Sequence, residues 1–223
     1  MHDITLICTV HAEAGACSLN ELYRILDAID PEIIFEELPP SSFGAFYTER
    51  SRKNLETDTI IKYIESHPIE HIPVDYDEVP PSLLEDSRRM HLRVEAISPE
   101  YRRVLDWHST YVRQYGFPYL NSIYCSNLNN DLDKAIEQTL PKINDNDLLR
   151  ILNLWNGHNE KREDKMINNI YGYSERHNYH QGLFFIGAGH RESIIKKIQK
   201  KALTASVKVN WNHDYFKSMI GNA

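Results

Sequence analysis

The sequence predicts an α/β protein: a mostly parallel sheet with flanking helices and a large helical insertion before the last strands. Three observations carry this. Short, apolar, β-branched runs recur at residues 4–10 (ITLICTV), 33–38 (IIFEEL) and 183–186 (LFFI). Such runs suit strands buried on both faces of a parallel sheet. A helix-patterned stretch joins the first two runs, as a βαβ unit requires. From residue 80 to about 179 the pattern is helical throughout, and only then does the sheet resume. We read residues 1–223 as a single α/β domain, with 82–179 as a helical insertion within it.

Taken in order, residues 4–10 form the first strand, ended by His11. Ser18 and Glu21 have capping-box spacing, and Leu19, Leu22, Ile25, Leu26 and Ile29 then line one helix face up to Pro31. The second strand, 33–38, carries Glu36 and Glu37 at its end, on opposite faces because side chains alternate. A polar helix is expected over 49–66. The third strand, 71–75, contains Pro73, which cannot donate to a ladder and so belongs at an edge. Asp75 sits at its end.

Within the insertion, Ser82 and Glu85 again have capping-box spacing, and Ser98-Pro99 opens a helix with proline at its first position. That helix should end before Gly116, and a later one, DLLRILNLWNG, at Gly157. Trp107, Tyr111 and Tyr115 fit a core or a groove wall, with the core favoured. The helix that follows Gly157 places Glu163 near the middle of its apolar stripe and Arg162 at the edge. Charges there need a partner, so this helix is expected to face a polar site. After residues 183–186 come Gly187-Ala188-Gly189, His190, and a helix with Ile194, Ile195 and Ile198 on one side. A last strand is expected at 206–211.

Composition narrows the function classes. The chain has 25 Lys and Arg against 32 Asp and Glu, for a net charge of −7. With no long basic run, nucleic acid is not the expected partner. The N-terminus lacks a basic n-region, and no segment approaches the ~18 apolar residues of a membrane span. Three cysteines without a CxxC pair suit a reducing compartment, so a cytoplasmic protein is expected. The oligomeric state is left open, a homodimer included.

His11, Glu36 or Glu37, Asp75 and His190 all fall at strand carboxyl ends. Parallel strands bring those ends to one rim, where open α/β sheets place their ligand sites. Two imidazoles with one or two carboxylates can hold a metal, or can supply a general base and an electrostatic stabiliser without one. His11-Ala12-Glu13 matches the HxE of zinc deaminases, but no PCxxC accompanies it. GAGHRES lacks the third glycine of a dinucleotide fingerprint and the Lys-Ser/Thr of a P-loop. His67, His71, His158, His177 and His180 read as solvated surface residues.

These residues also carry a family resemblance. PEIIFEEL, IPVDYD, KREDKM and GAGH (ending at His190, the second of two GxxH motifs) resemble, in that order along the chain, segments of the TraB/Tiki family, part of a wider group with erythromycin esterases and ChaN-like haem-uptake proteins. The first motif reads CTVH, with Cys8 where the family has glycine, and Lys161 stands where the family tends to be acidic. The resemblance puts Glu37, not Glu36, in the functional position. It implies a hydrolase that cleaves a peptide or ester bond in a peptide or small-molecule substrate. His11, Glu37, Asp75, Arg162 and His190 would be its catalytic residues. A divalent metal (manganese, cobalt or zinc) would sit on His11, Glu37 and His190. The competing expectation is a ligand-binding or sensor module that keeps the fold without the chemistry.

Overall fold

The computed structural model describes residues 1–77, 79–143 and 145–217. Five parallel strands form one sheet in the order β3-β2-β4-β1-β5. They are β1 (His2–Thr9), β2 (Ile33–Glu36), β3 (Glu70–Pro73), β4 (Gln181–Gly187) and β5 (Val209–Asn212). β4 lies between β1 and β2, and its Leu183–Ile186 run is wholly buried. This agrees with an apolar strand covered on both faces. β3 is an edge strand, where Pro73 withholds no ladder bond that a neighbour needs.

Between β1 and β2 runs α1 (Leu19–Ile29), and between β2 and β3 runs α2 (Leu55–Ile64); the two helices pack together. Ser18 caps α1, its hydroxyl accepting from the Glu21 N–H at 3.2 Å. α2 starts later than the expected residue 49: Pro40–Ser42 form a tight 3₁₀ turn, Gly44–Thr48 a wider π turn, and Asn54 supplies the cap. Four helices separate β3 from β4: α3 (Pro81–Ile97), α4 (Pro99–Leu120), α5 (Ile123–Thr139) and α6 (Asn146–Ser174). They bury a small core of their own around Met90, Tyr101, Ile136 and Ile151, separate from the large core on the sheet. α7 (Arg191–Ala202) follows β4 and packs against α6. No helix among the described residues is long and apolar enough to cross a membrane.

Several local expectations fail for identifiable reasons. α3 begins at Pro81 without a side-chain cap, so Ser82 lies inside the helix and forms no capping box. Gly157 does not stop a helix: α6 runs through it to Ser174, since one glycine costs only about 1 kcal/mol. Gly116 breaks α4 with φ of 61°, yet helical backbone resumes through Leu120. There the β1–α1 loop crosses α4, and a Cβ on Gly15 (φ 57°) would lie 2.4 Å from the Arg113 carbonyl oxygen. Trp107, Tyr111 and Tyr115 are exposed, not core.

β5 pairs only with His2–Thr5 of β1, which leaves the edge of β1 open further along. Asn121, just after α4, covers it. Its Oδ1 accepts from the Cys8 N–H at 2.8 Å and its Nδ2 donates to the Cys8 carbonyl at 3.0 Å. Asn121→Ala would strand both buried backbone groups and should lower stability by about 2–4 kcal/mol, measured by urea unfolding.

Candidate active site

The parallel ladder sets the carboxyl ends of β2, β4 and β1 side by side, and the polar residues after them converge. A Cβ built on Gly187 would lie 3.3 Å from Glu37 Oε2, 3.7 Å from His11 Nε2 and 3.7 Å from His190 Cδ2. Three functional groups from three strand ends thus surround one glycine. Its lack of a side chain is what lets them approach.

Glu37 is bound on both oxygens. Oε2 accepts from the Gly187 N–H at 2.6 Å, and Oε1 accepts from Arg162 Nη2 at 2.7 Å with His190 Nε2 at 3.4 Å. Burial would raise its pKa, but the charges of His190, Arg162 and His11, with the Gly187 N–H, outweigh burial and hold the carboxyl below its usual range. Arg162 also makes a two-pronged contact with Asp75, from Nε at 3.1 Å and Nη2 at 2.6 Å to Oδ2. Its side chain is only 13 % exposed, and Nη1 has only a long contact to Asn159 Oδ1 at 3.5 Å. Burial disfavours its charge, yet the bonds to Asp75 and the field of Glu37 raise its pKa further.

Each histidine has a carboxylate behind it. His190 Nδ1 donates to Glu163 Oε1 at 2.7 Å, and Ser193 holds the other Glu163 oxygen. Burial opposes charge on His190, but the Glu163 bond and the field of Glu37 win, and its pKa is raised. The Glu37 contribution to stability is complete above about pH 4.5 and lost as pH falls through its lowered pKa. The His190 contribution is complete below about pH 6.5 and lost as pH rises through its raised pKa.

His11 has a similar partner. Its Nδ1 stands 3.3 Å from Glu56 Oε1, which also accepts from Thr9 Oγ1 at 2.5 Å. The Glu56 contact pushes the imidazole up to about 9, although the ring is 63 % exposed. Glu56→Gln should return the His11 pKa toward 6.5, and an NMR titration of its ring protons would check this. A cavity of about 10 Å³ lies among His11, Glu37 and Glu56, on the order of the room one water needs.

All five residues singled out from the sequence lie on this rim. The contacts link Glu37, Asp75, Arg162 and His190 directly, and place His11 across Gly187 from His190. Sequence reasoning did not assign Glu56. It required a partner for Glu163 without naming His190. The pair of Glu36 with His71 was also missed: Glu36 Oε1 lies 2.7 Å from His71 Nδ1, and the Tyr47 hydroxyl donates to Oε2. His71 is therefore a largely buried partner, not a solvated surface histidine. Cys8 is buried within β1, not in the turn, and burial pushes its thiol up. The turn at His11 thus needs no glycine at that position.

The side chains do not form a ready metal cage. Among the described residues, no group of three or more His, Cys, Asp or Glu is arranged to hold an ion. Both oxygens of Glu37 already accept from protein donors, one of them a guanidinium that would repel a cation. The arrangement is better described as two carboxylate-backed imidazoles facing a carboxylate fixed by arginine. Comparison of the chain with protein-family models, with curated proteins and with solved structures gives no match.

Proposed function

We propose that the chain is a hydrolase of the TraB/Tiki type that activates water at the His/Glu rim and cleaves a peptide or ester bond. The observation that carries this reading is the convergence of His11, Glu37 and His190 on Gly187, with a glutamate behind each imidazole. His11 is the general base: it lines the small cavity, and Glu56 stabilises the imidazolium that forms when it takes a proton from water. His190, kept protonated by Glu37 and Glu163, donates from Nε2 to the oxyanion or the leaving group. Arg162 fixes Glu37 and Asp75. With His11 at about 9, the rate should rise with pH into the alkaline range, as the base form accumulates.

The resemblance also implies a divalent metal, with His11, Glu37 and His190 as its ligands. The engagement of Glu37 by Arg162 and Gly187 argues against a preformed site, so no step is assigned to a metal. Substrate choice falls to the helices. A groove of about 550 Å³ reaches His190 and Glu163, with walls that include His91 of α3, Asp133 and Glu137 of α5, and Trp155 of α6.

The alternative is a binding or sensor module, favoured by the engagement of both Glu37 oxygens and of Arg162 Nε and Nη2 within the protein. One experiment separates them. Purified protein is assayed on a panel of peptides and carboxylic esters, with and without added manganese, cobalt or zinc and with a chelator. Turnover lost in both His11→Ala and His190→Ala supports the hydrolase, and its metal dependence is read from the same assay. A folded protein inert under every condition supports the module.

A further inference from the structure

A second groove, of about 880 Å³, lies between the starts of α5 and α7 and the segment 213–217. Two of its lining residues are buried with unused hydrogen-bonding atoms. Arg191, the first residue of α7, is 8 % exposed. Its one side-chain hydrogen bond among the described residues runs from Nη2 to the His213 carbonyl at 2.9 Å, and its Nε is buried with no partner. Ser126, in the first turn of α5, is 4 % exposed, and its Oγ is likewise buried and unpartnered. Native proteins seldom leave such groups unmet, and a buried guanidinium is the more costly of the two.

The acids of the groove answer Arg191 only in part. Glu192 is held by Lys196 at 2.6 Å and Asn130 at 2.8 Å. Asp214 is held by Lys217 at 2.6 Å and stands 4.0 Å from the guanidinium. Arg191, Lys196 and Lys217 face two carboxylates, Glu192 and Asp214, which leaves one positive charge in surplus. The backbone at the start of α7 adds no free donor here, since the turn Ala188–His190 runs directly into the helix and the Arg191 N–H already donates to the Ala188 carbonyl. Apolar side chains of Ile123, Ile195 and Phe216 line the remainder.

We propose that this groove binds a phosphate-bearing small molecule, with Arg191 and Ser126 receiving the phosphate and the apolar wall receiving the organic part. A guanidinium beside a hydroxyl suits a tetrahedral acceptor with several free oxygens. The volume falls within the usual range for small-molecule sites. The inference is independent of the hydrolase reading, since neither Arg191 nor Ser126 takes part in that chemistry.

The test uses the whole protein and inorganic phosphate as the probe. Thermal melts and calorimetry are run against chloride at matched ionic strength. Phosphate should bind saturably and raise the melting temperature by several degrees. Ser126→Ala removes an unmet buried hydroxyl, so it should leave the phosphate-free protein as stable as before or more so, while weakening phosphate binding at least about 5-fold. Arg191→Gln should abolish the response. If that variant does not fold, Ser126→Ala alone decides. His190→Ala should keep the response, which separates this groove from the rim site. No saturable effect of phosphate, or one unchanged in Ser126→Ala, overturns the proposal.

Discussion

Arg162→Ala is expected to destabilise the protein by about 3–5 kcal/mol, the scale for removing one partner of a buried ion pair. The guanidinium meets two carboxylates at once, Asp75 through Nε and Nη2 and Glu37 through Nη2. Both carboxylates are buried, so its removal leaves two negative charges facing each other without a cation. Part of the loss is relieved when one of them takes up a proton, which makes the deficit larger at neutral pH than in mild acid. Lysine should restore only a fraction, because a point charge cannot reproduce the two-pronged geometry. Melts from pH 5 to 8, beside turnover measured on the folded fraction, separate a structural arginine from a catalytic one. A variant of wild-type stability with turnover lost would assign Arg162 to the chemistry instead.

His190→Ala should lower kcat by about 10²–10⁴-fold, the usual range for loss of a positioned acid or base, and should also cost stability, since it leaves the buried Glu163 without its imidazole partner. The imidazole is the only group among the described residues seen to touch both Glu37 and Glu163. Without it, the two glutamates have no shared cation and Glu37 turns entirely to Arg162 and the Gly187 N–H. Glu163→Gln gives the graded version. It keeps the ring in place but withdraws the charge that favours the imidazolium, so the alkaline limb of the rate profile should move to lower pH. An unchanged profile in Glu163→Gln would remove His190 from the role of acid.

The parallel sheet and the rim residues were readable in the sequence because the strands that matter are short, apolar and ended by a polar residue. His11, Glu37 and His190 each stand out against such a run. Glu56 does not. It lies in the first turn of α2, where an acidic residue is ordinary because the helix dipole favours it, and only the fold brings it to His11. The His71–Glu36 pair depends on strand register, with His71 on an edge strand opposite Ile34, two residues from Glu36 and on the same face, and nothing local announces it. The helix breaks were misjudged for a similar reason. Gly157 lies in a helix whose later turns bury Met166, Ile167 and Ile170, and that packing outweighs the preference of one residue. The surface tyrosines misled because aromatic periodicity looks the same on a core face and on an outer wall.

The position of β4 has a consequence for the order in which the molecule can form. β1 and β2 are made early but never pair with each other; the slot between them is filled by residues 181–187, after β3 and the helices α2 to α6 have been added. Until then each strand presents an open row of N–H and C=O groups to whatever is nearby, the condition that invites pairing between chains. Closing the slot joins segments separated by more than 140 residues and is entropically slow. The same step delivers Gly187 and His190 to the rim. In a growing chain, acquisition of the site and protection from aggregation are therefore one late event.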